Sequence, residues 1–434
     1  MPVDPVRARV YEHGWQSWSP TTAYRLDERP FRPVSELRRV GNYRPERTAP
    51  DGAFWGEGLL AVDPGTGDGV QVFAAPSASG EIPSIRADVA GDTVVVRADG
   101  EVTSVVVEAA LESALARWGD GFAAAAGVGP LRPPPTAWCS WYHYFERVTQ
   151  DDIEENLRAI DELRLDIDVV QIDDGYQAEI GDWLLLSERF ASLADIVGRI
   201  RGAGRRAGIW VAPFLVGERS VLAREHPEWL VRDASPGTGW GDQQLASLDA
   251  THPEAEAYLR EVFGTFRDLG IDYYKIDFIY AGAMDGPRAD GGTSGVAAYR
   301  HGLRVIREAI GPDAYLLGCG APILPSVGLV DAMRVGPDIG HHVEPLDGDL
   351  SQPSQRAAAQ NSRARAWQHG RFWVNDADCL VAGPHVERRE EWAGVVEECS
   401  GLRASSDRLR ELDAWGLDTT RRLLRRGLTT PFVP

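Results

Sequence analysis

Between Thr136 and Asp407 the chain repeats one unit eight times: a short apolar run rich in β-branched and aromatic residues, then a stretch with helical spacing. The runs are "TAWCSW", "DVVQIDD", "RAGIWVAPF", "YYKIDFI", "AYLLGCG", "AMRVGPD", "RFWVND" and "GLRASSD". Such alternation requires parallel strands joined by crossover helices. Eight units in roughly 250–300 residues predict an α/β chain closed into a (β/α)8 TIM barrel. An open, doubly wound sheet is the rival, but no GxGxxG turn follows the first strand.

The intervening segments carry helix signals. In "TQDDIEENLRAIDEL", Thr149 and Asp152 stand at capping-box spacing, and Ile153, Leu157, Ile160 and Leu163 form one apolar face. In "THPEAEAYLREVFGTFRDLG", Thr251 and Glu254 read as a second capping box and Gly270 as the stop. Ahead of the barrel, residues 1–130 read as β structure. "GDTVVVRADGEVTSVVVEAAL" (91–111) predicts a hairpin about an Asp-Gly turn. The prolines Pro133, Pro134 and Pro135 place the boundary near residue 130, leaving 131–434 to the barrel.

Charge narrows the function classes. With 45 Lys plus Arg against 65 Asp plus Glu, the chain carries −20 and repels phosphate backbones and anionic lipid, so neither nucleic acid nor a membrane is an expected partner. The N-terminus lacks a signal-peptide core, and no run of about eighteen apolar residues occurs. Cys139, Cys319, Cys379 and Cys399 show no CxxC spacing, and with no disulfide framework a cytoplasmic location is expected. Several of the 14 tryptophans stand in loop contexts, "GWQSWSP", "WCSWYHY" and "TGWGDQ", where indoles stack on sugars.

Barrel chemistry gathers at the C-terminal ends of the strands. Asp173 and Asp174 end the second run, Asp277 the fourth, Asp338 the sixth, and Asn375 and Asp376 the seventh; Trp141 and Trp210 flank the first and third. One aspartate at a strand end is ordinarily a cap or turn former. Several converging on one mouth suggest paired carboxylates that cleave a glycosidic bond, one as nucleophile and one as proton donor. Lys275 and Asp277 lie two apart on one strand and share a face, so the cation favours an ionised, nucleophilic Asp277. His341 and His342 are adjacent and no HExxH occurs, while "NDADC" lacks the remaining ligands of an EF-hand loop, so neither a metal nor another cofactor is expected. No GxSxG elbow supports serine chemistry.

"GWQSWSP", "WCSWYHYF", "VVQIDDGYQ", "GIWVAPF", "YYKIDFIYAGA", "LLGCGAP", "MRVGPD" and "RFWVNDADCL" together resemble glycoside hydrolase family 36, the melibiase-type α-galactosidases, and most of all their compact bacterial and archaeal members. The resemblance runs from Trp15 to about Ser405. It implies a retaining α-galactosidase acting on small α-galactosides such as melibiose or raffinose. Asp277 would be the nucleophile and Asp338 the acid/base. Asp173 and Asp174 would accept the galactose 4- and 6-hydroxyls, with Lys275 and Arg334 on further hydroxyls. Cys319 would lie near the 2-position, with Trp141 and Trp210 as walls and Trp18 lent by the N-terminal β domain. Retention requires carboxyls about 5–6 Å apart.

The chain departs from the family at its ends. A shortened N-terminal β-sandwich, a helical tail over 419–434 and no C-terminal β domain are expected, and any homo-oligomer built through the shortened parts is left open. Two readings keep the machinery, an α-N-acetylgalactosaminidase and a raffinose-synthase-like α-galactosyl transferase. A third, a catalytically silent galactose-binding barrel, keeps only the fold.

Overall fold

The computed structural model describes residues 1–33, 36–42, 44, 52–425 and 427–433. Each of the eight apolar runs contains a strand: β1 Thr136–Cys139, β2 Val169–Ile172, β3 Arg206–Val211, β4 Ile271–Ile276, β5 Tyr315–Gly318, β6 Ala332–Arg334, β7 Val374–Asp376 and β8 Arg403–Ser405. All pair in parallel in the order β7-β6-β5-β4-β3-β2-β1-β8. The ring closes just past β7, where Leu380 bridges Ser405 and the amides of Gly401 and Leu402 reach the Asn375 carbonyl. This is the expected TIM-type barrel.

Period two along the strands builds two concentric cores. Trp138, Val170, Ile172, Ile209, Tyr274, Ile276, Leu316 and Met333 pack outward under the helices. Ala137, Cys139, Val169, Tyr273, Tyr315, Leu317 and Val374 fill the lumen. Helix Gln150–Glu162 begins with the Thr149–Asp152 capping box complete. Helix Pro253–Leu269 ends at Gly270 in the left-handed region, but its start corrects the sequence reading. The His252 ring, rather than Thr251, accepts the Glu254 amide, because Thr251 Oγ1 is already committed to Asp249 at 2.7 Å.

The N-terminal region holds two antiparallel sheets. Thr22–Arg25, Arg9–Glu12, Leu59–Asp63, Val70–Ala74 and Thr103–Val107 form one, and Phe54–Glu57, Ser84–Ala90 and Thr93–Ala98 the other. Val10, Phe54, Leu60, Ile85 and Val94 share a small core of their own. The expected hairpin over 91–111 does not form. Its two runs are strands, yet Thr93–Ala98 pairs back onto Ser84–Ala90 through a turn at Gly91 and Asp92, while Thr103–Val107 joins the other sheet. Asp99 is instead bound to Ser84 through both its amide and its carboxylate. The region is not all β: helix Leu111–Ala125 docks Trp118 and Phe122 on Trp367 and Phe372 of the barrel. The C-terminal helix spans Ala414–Leu423, short of the expected 419–434; residues 426 and 434 lie outside those described.

Candidate active site

Tyr273 and Lys275 belong to the luminal column of β4, and Tyr273 stacks on Tyr315 of β5 with 5.9 Å between ring centroids. Asp277 follows directly after the strand, its amide held by the Val211 carbonyl at 2.8 Å. Phe278 then turns the chain in the left-handed region, φ 51°, a conformation a bulky residue adopts only where its surroundings impose it.

Asp277 is 5 % exposed and hydrogen-bonded on both oxygens. Oδ2 accepts Trp210 Nε1 at 3.0 Å and Oδ1 accepts the Phe278 amide at 2.8 Å, and the buried Cys319 thiol lies nearby. Lys275 Nζ is 3.9 Å from Asp277 but only 3.0 Å from Asp173 of the β2 end, so the nearer partner of the lysine lies two strands away. Burial pushes the Asp277 carboxyl above its ordinary range. Lys275 pulls it down, the Asp338 charge adds to the push, and the Cys319 and Trp210 side chains oppose it. The cation alone therefore does not fix Asp277 as a carboxylate in the unliganded site.

Asp173 Oδ2 also accepts Gln171 Nε2 (2.6 Å) and the Cys139 thiol (3.2 Å). Asp174 accepts Gln177 Nε2 at 2.6 Å and Trp240 Nε1 at 2.7 Å. Burial raises the Asp174 carboxyl to about 6 despite those two donors. Gly175 after the pair has φ 119°, and a Cβ there would sit 2.6 Å from the Glu146 carbonyl, so only glycine fits the turn.

Across the mouth, Arg334 ends β6 and is 2 % exposed. Its Nη2 gathers three groups: Asp338 Oδ1 at 2.5 Å, Asp378 Oδ2 at 2.6 Å and the Tyr142 hydroxyl at 3.1 Å. Asp338 sits in the loop four residues beyond, with its side chain 33 % exposed. Asp378 is buried past β7 at φ 109°, accepting the Tyr142 hydroxyl and the amides of Ile339 (2.9 Å) and Cys379 (2.7 Å). Burial raises the Asp378 carboxyl to about 7, with Arg334 opposing.

These groups surround a cavity of about 700 Å³. Trp18, Trp141, Asp173, Asp174, Trp210, Lys275, Asp277 and Asp338 line it; Arg334 and Cys319 lie buried behind its wall, against Asp338 and Asp277. Asn375 and Asp376, expected at the mouth, are absent from the lining: Asn375 donates to the Arg365 carbonyl in the helix layer, and Asp376 is buried below. Trp18 reaches the mouth on the loop Trp15–Pro20. That loop is tied to the barrel by Ser17–Ala321 bonds and by Arg365, which donates to the carbonyls of Gln16, Ser17, Ser19 and Val335. The indole packs edge-on against Phe278 at 4.8 Å and over Gly320, where a Cβ would lie 2.8 Å from the ring.

Trp240, Tyr142, Asp378 and Gln177 were not assigned from sequence. Trp240 belongs to the loop tryptophans that the sequence does expose; it sits at the tip of the antiparallel pair Gly237–Gly239 and Gln243–Ser247, inserted after β3. "NDADC" drew attention to Asp378 only as a failed metal motif. Among the described residues no group of three His, Cys, Asp or Glu side chains is arranged to hold a metal, and no helix is long and apolar enough to cross a membrane.

Comparison with known proteins adds three findings. A family model described as melibiase matches residues 136–304. The bifunctional α-galactosidase/sucrose kinase AgaSK of Mediterraneibacter gnavus is 30 % identical over 160 residues, which cover 33 % of this chain and 17 % of that protein, so the shared stretch is a small part of the curated relative. Among solved structures, the α-galactosidase TtGalA from Thermus thermophilus, in complex with p-nitrophenyl α-D-galactopyranoside, superposes with a TM-score of 0.81 at 30 % identity, covering 98 % of this chain and 87 % of that one. The α-galactosidase AgaA of Geobacillus stearothermophilus shares the fold at a TM-score of 0.64 and 15 % identity, covering 97 % and 61 %.

Proposed function

The chain belongs to the melibiase-type α-galactosidases of glycoside hydrolase family 36, and from that premise we propose that it hydrolyses terminal α-D-galactosides with retention of configuration. One observation carries the reading. Two aspartates from separate strands, Asp277 and Asp338, line one cavity of small-ligand size, each beside its own buried cation.

In the proposed cycle an Asp277 oxygen attacks the anomeric carbon while Asp338 gives its proton to the departing glycosidic oxygen. The product is a galactosyl ester on Asp277. A water then loses a proton to Asp338 and attacks the same carbon, releasing galactose and restoring both acids. The donors to Asp277 come from Trp210 and Phe278, so its carboxylate is positioned before substrate arrives. Asp173, Asp174 and Lys275 offer two acceptors and a donor for sugar hydroxyls. Trp18, Trp141 and Trp210 offer apolar walls.

The decisive experiment replaces Asp277 with alanine. Turnover of p-nitrophenyl α-galactoside should fall by at least about 10³-fold, and azide should restore part of it as β-galactosyl azide. Substantial hydrolysis by Asp277→Ala would refute the assignment. Melibiose, raffinose and the N-acetylgalactosaminide, assayed beside it on wild-type enzyme, separate the galactosidase from its N-acetylated counterpart.

A further inference from the structure

Arg334 poses a problem for the proposed acid. A guanidinium 2.5 Å from a carboxyl favours the ionised form, whereas a proton donor must be neutral when substrate arrives. The buried Asp378, which the cycle above does not use, touches the same nitrogen at 2.6 Å. It also reaches the loop of Asp338 directly, through the Ile339 amide at 2.9 Å.

We propose that Asp378 is a positioning residue for the proton donor: it neutralises Arg334 from behind and anchors the Asp338 loop, so that Asp338 stands at the cavity wall able to carry a proton. The inference rests on the reading of the protein as a retaining α-galactosidase. No proton passes through Asp378; the proton lost by Asp338 goes to the glycosidic oxygen and returns from water.

The surroundings favour this role over simple packing. Asp378 faces Arg334 from β6, Asp338 from the next loop, Asp376 from its own strand, Tyr142 from the segment after β1, and its neighbour Cys379. Asp338 faces Arg334, Asp378, Tyr142, Asp277 and Cys319. Arg334 Nη2 is shared between Asp338 and Asp378, so the charge on Asp378 affects how strongly that cation acts on Asp338. A purely structural aspartate would have no need to share a nitrogen with the reacting acid.

The test compares wild type with Asp378→Asn, measuring kcat/KM against pH for p-nitrophenyl α-galactoside and for melibiose. Removing the charge leaves Arg334 facing Asp338 alone. The basic limb of the profile should move down by about one pH unit. Melibiose, whose leaving group needs a proton, should lose about 10-fold or more in kcat. The nitrophenyl substrate should lose only a few-fold, with KM little changed. Asp378→Glu should recover most of the melibiose activity. Tyr142→Phe, which removes the hydroxyl that donates to Asp378 and accepts from Arg334, should shift the limb in the same direction by less. It also keeps the test decisive if Asp378→Asn does not fold. An unmoved basic limb with an unchanged ratio between the two substrates, in whichever variant folds, overturns the proposal. A wild-type protein that turns over no α-galactoside overturns the functional reading, and this inference with it.

Discussion

Replacing Arg365 with methionine tests whether the N-terminal loop is part of the active site or merely lies beside it. Arg365 is fully buried with no carboxylate partner among the described residues, and burial holds its guanidinium down to about 10. Against its ordinary 12.5 that drop corresponds to a cost of about 3 kcal/mol for burying the charge, which the substitution returns. The loss is larger. The Gln16 carbonyl keeps the Ser19 amide, and the Ser19 carbonyl keeps Thr21 and Asn361. The Ser17 and Val335 carbonyls lose the donor they have in Arg365, at about 2–3 kcal/mol each, or about 5 in total. The net expectation is a destabilisation of about 2 kcal/mol in urea titration. Three of the four bonds fall on Gln16–Ser19, so the loop that carries Trp18 loses its ties to Arg365 together. One displaced aromatic wall is worth about 1 kcal/mol, so KM for p-nitrophenyl α-galactoside should rise about 5- to 10-fold with kcat nearly unchanged. Lost stability with an unaltered KM would show that Arg365 does not hold Trp18 in place. An altered KM without lost stability would break the carbonyl arithmetic.

Lys275→Met removes the cation shared by Asp173 and Asp277. Asp277 is then pushed further up, so the acidic limb of kcat/KM should move to higher pH by about one unit or more; a limb that stays put would detach Lys275 from the nucleophile. His13 is buried beside Glu57 and Gln368 and is held down to about 3, from 6.5. The unfolded chain thus binds the extra proton between those values, and stability present above pH 6.5 is lost as pH falls. The expected loss attributable to His13 is about 2 kcal/mol at pH 5, read from urea midpoints at pH 7 and 5. His13→Gln should flatten that slope, and an equal slope in both proteins would contradict the neutral, buried ring.

What was legible in the sequence was whatever depends on local pattern. Eight apolar runs are eight strands because period two and β-branching act within each run, and Thr149 caps its helix because its partner is three residues away. What was illegible depends on partners far along the chain. The two runs of 91–111 are strands, but Thr103–Val107 finds its neighbour at Val70–Ala74, and no property of the Asp-Gly dipeptide reveals that. Lys275 shares a face with Asp277, as its spacing requires, yet bonds more closely to Asp173, 102 positions away. Trp240, Tyr142 and Asp378 escaped assignment for the same reason: their roles come from Asp174, Arg334 and Asp338, which other strands supply.

Lys275 and Arg334 follow one arrangement. Lys275 lies between Asp277 and the deeper Asp173, and Arg334 between Asp338 and the deeper Asp378. A buried carboxyl with no cation would stay neutral, and one with a cation to itself would stay ionised; neither suits an acid that must change state or an ester that must form and break. In the site each cation is instead shared with a second carboxylate, which weakens its hold on the acid that the proposed cycle uses. The two halves differ in distance. Lys275 stands 0.9 Å nearer to Asp173 than to Asp277 (3.0 against 3.9 Å), whereas Arg334 touches both of its acids within 0.1 Å (2.5 and 2.6 Å). In the proposed cycle the looser contact leaves Asp277 free to lose its charge on forming an ester. The tighter one would keep Asp338 in place through the gain and loss of a proton that the same cycle requires. Under the proposed cycle this arrangement asks more of the barrel than two catalytic aspartates would: four strand ends must be in register, and a change at Asp173 or Asp378 would reach the chemistry through a cation that remains in place.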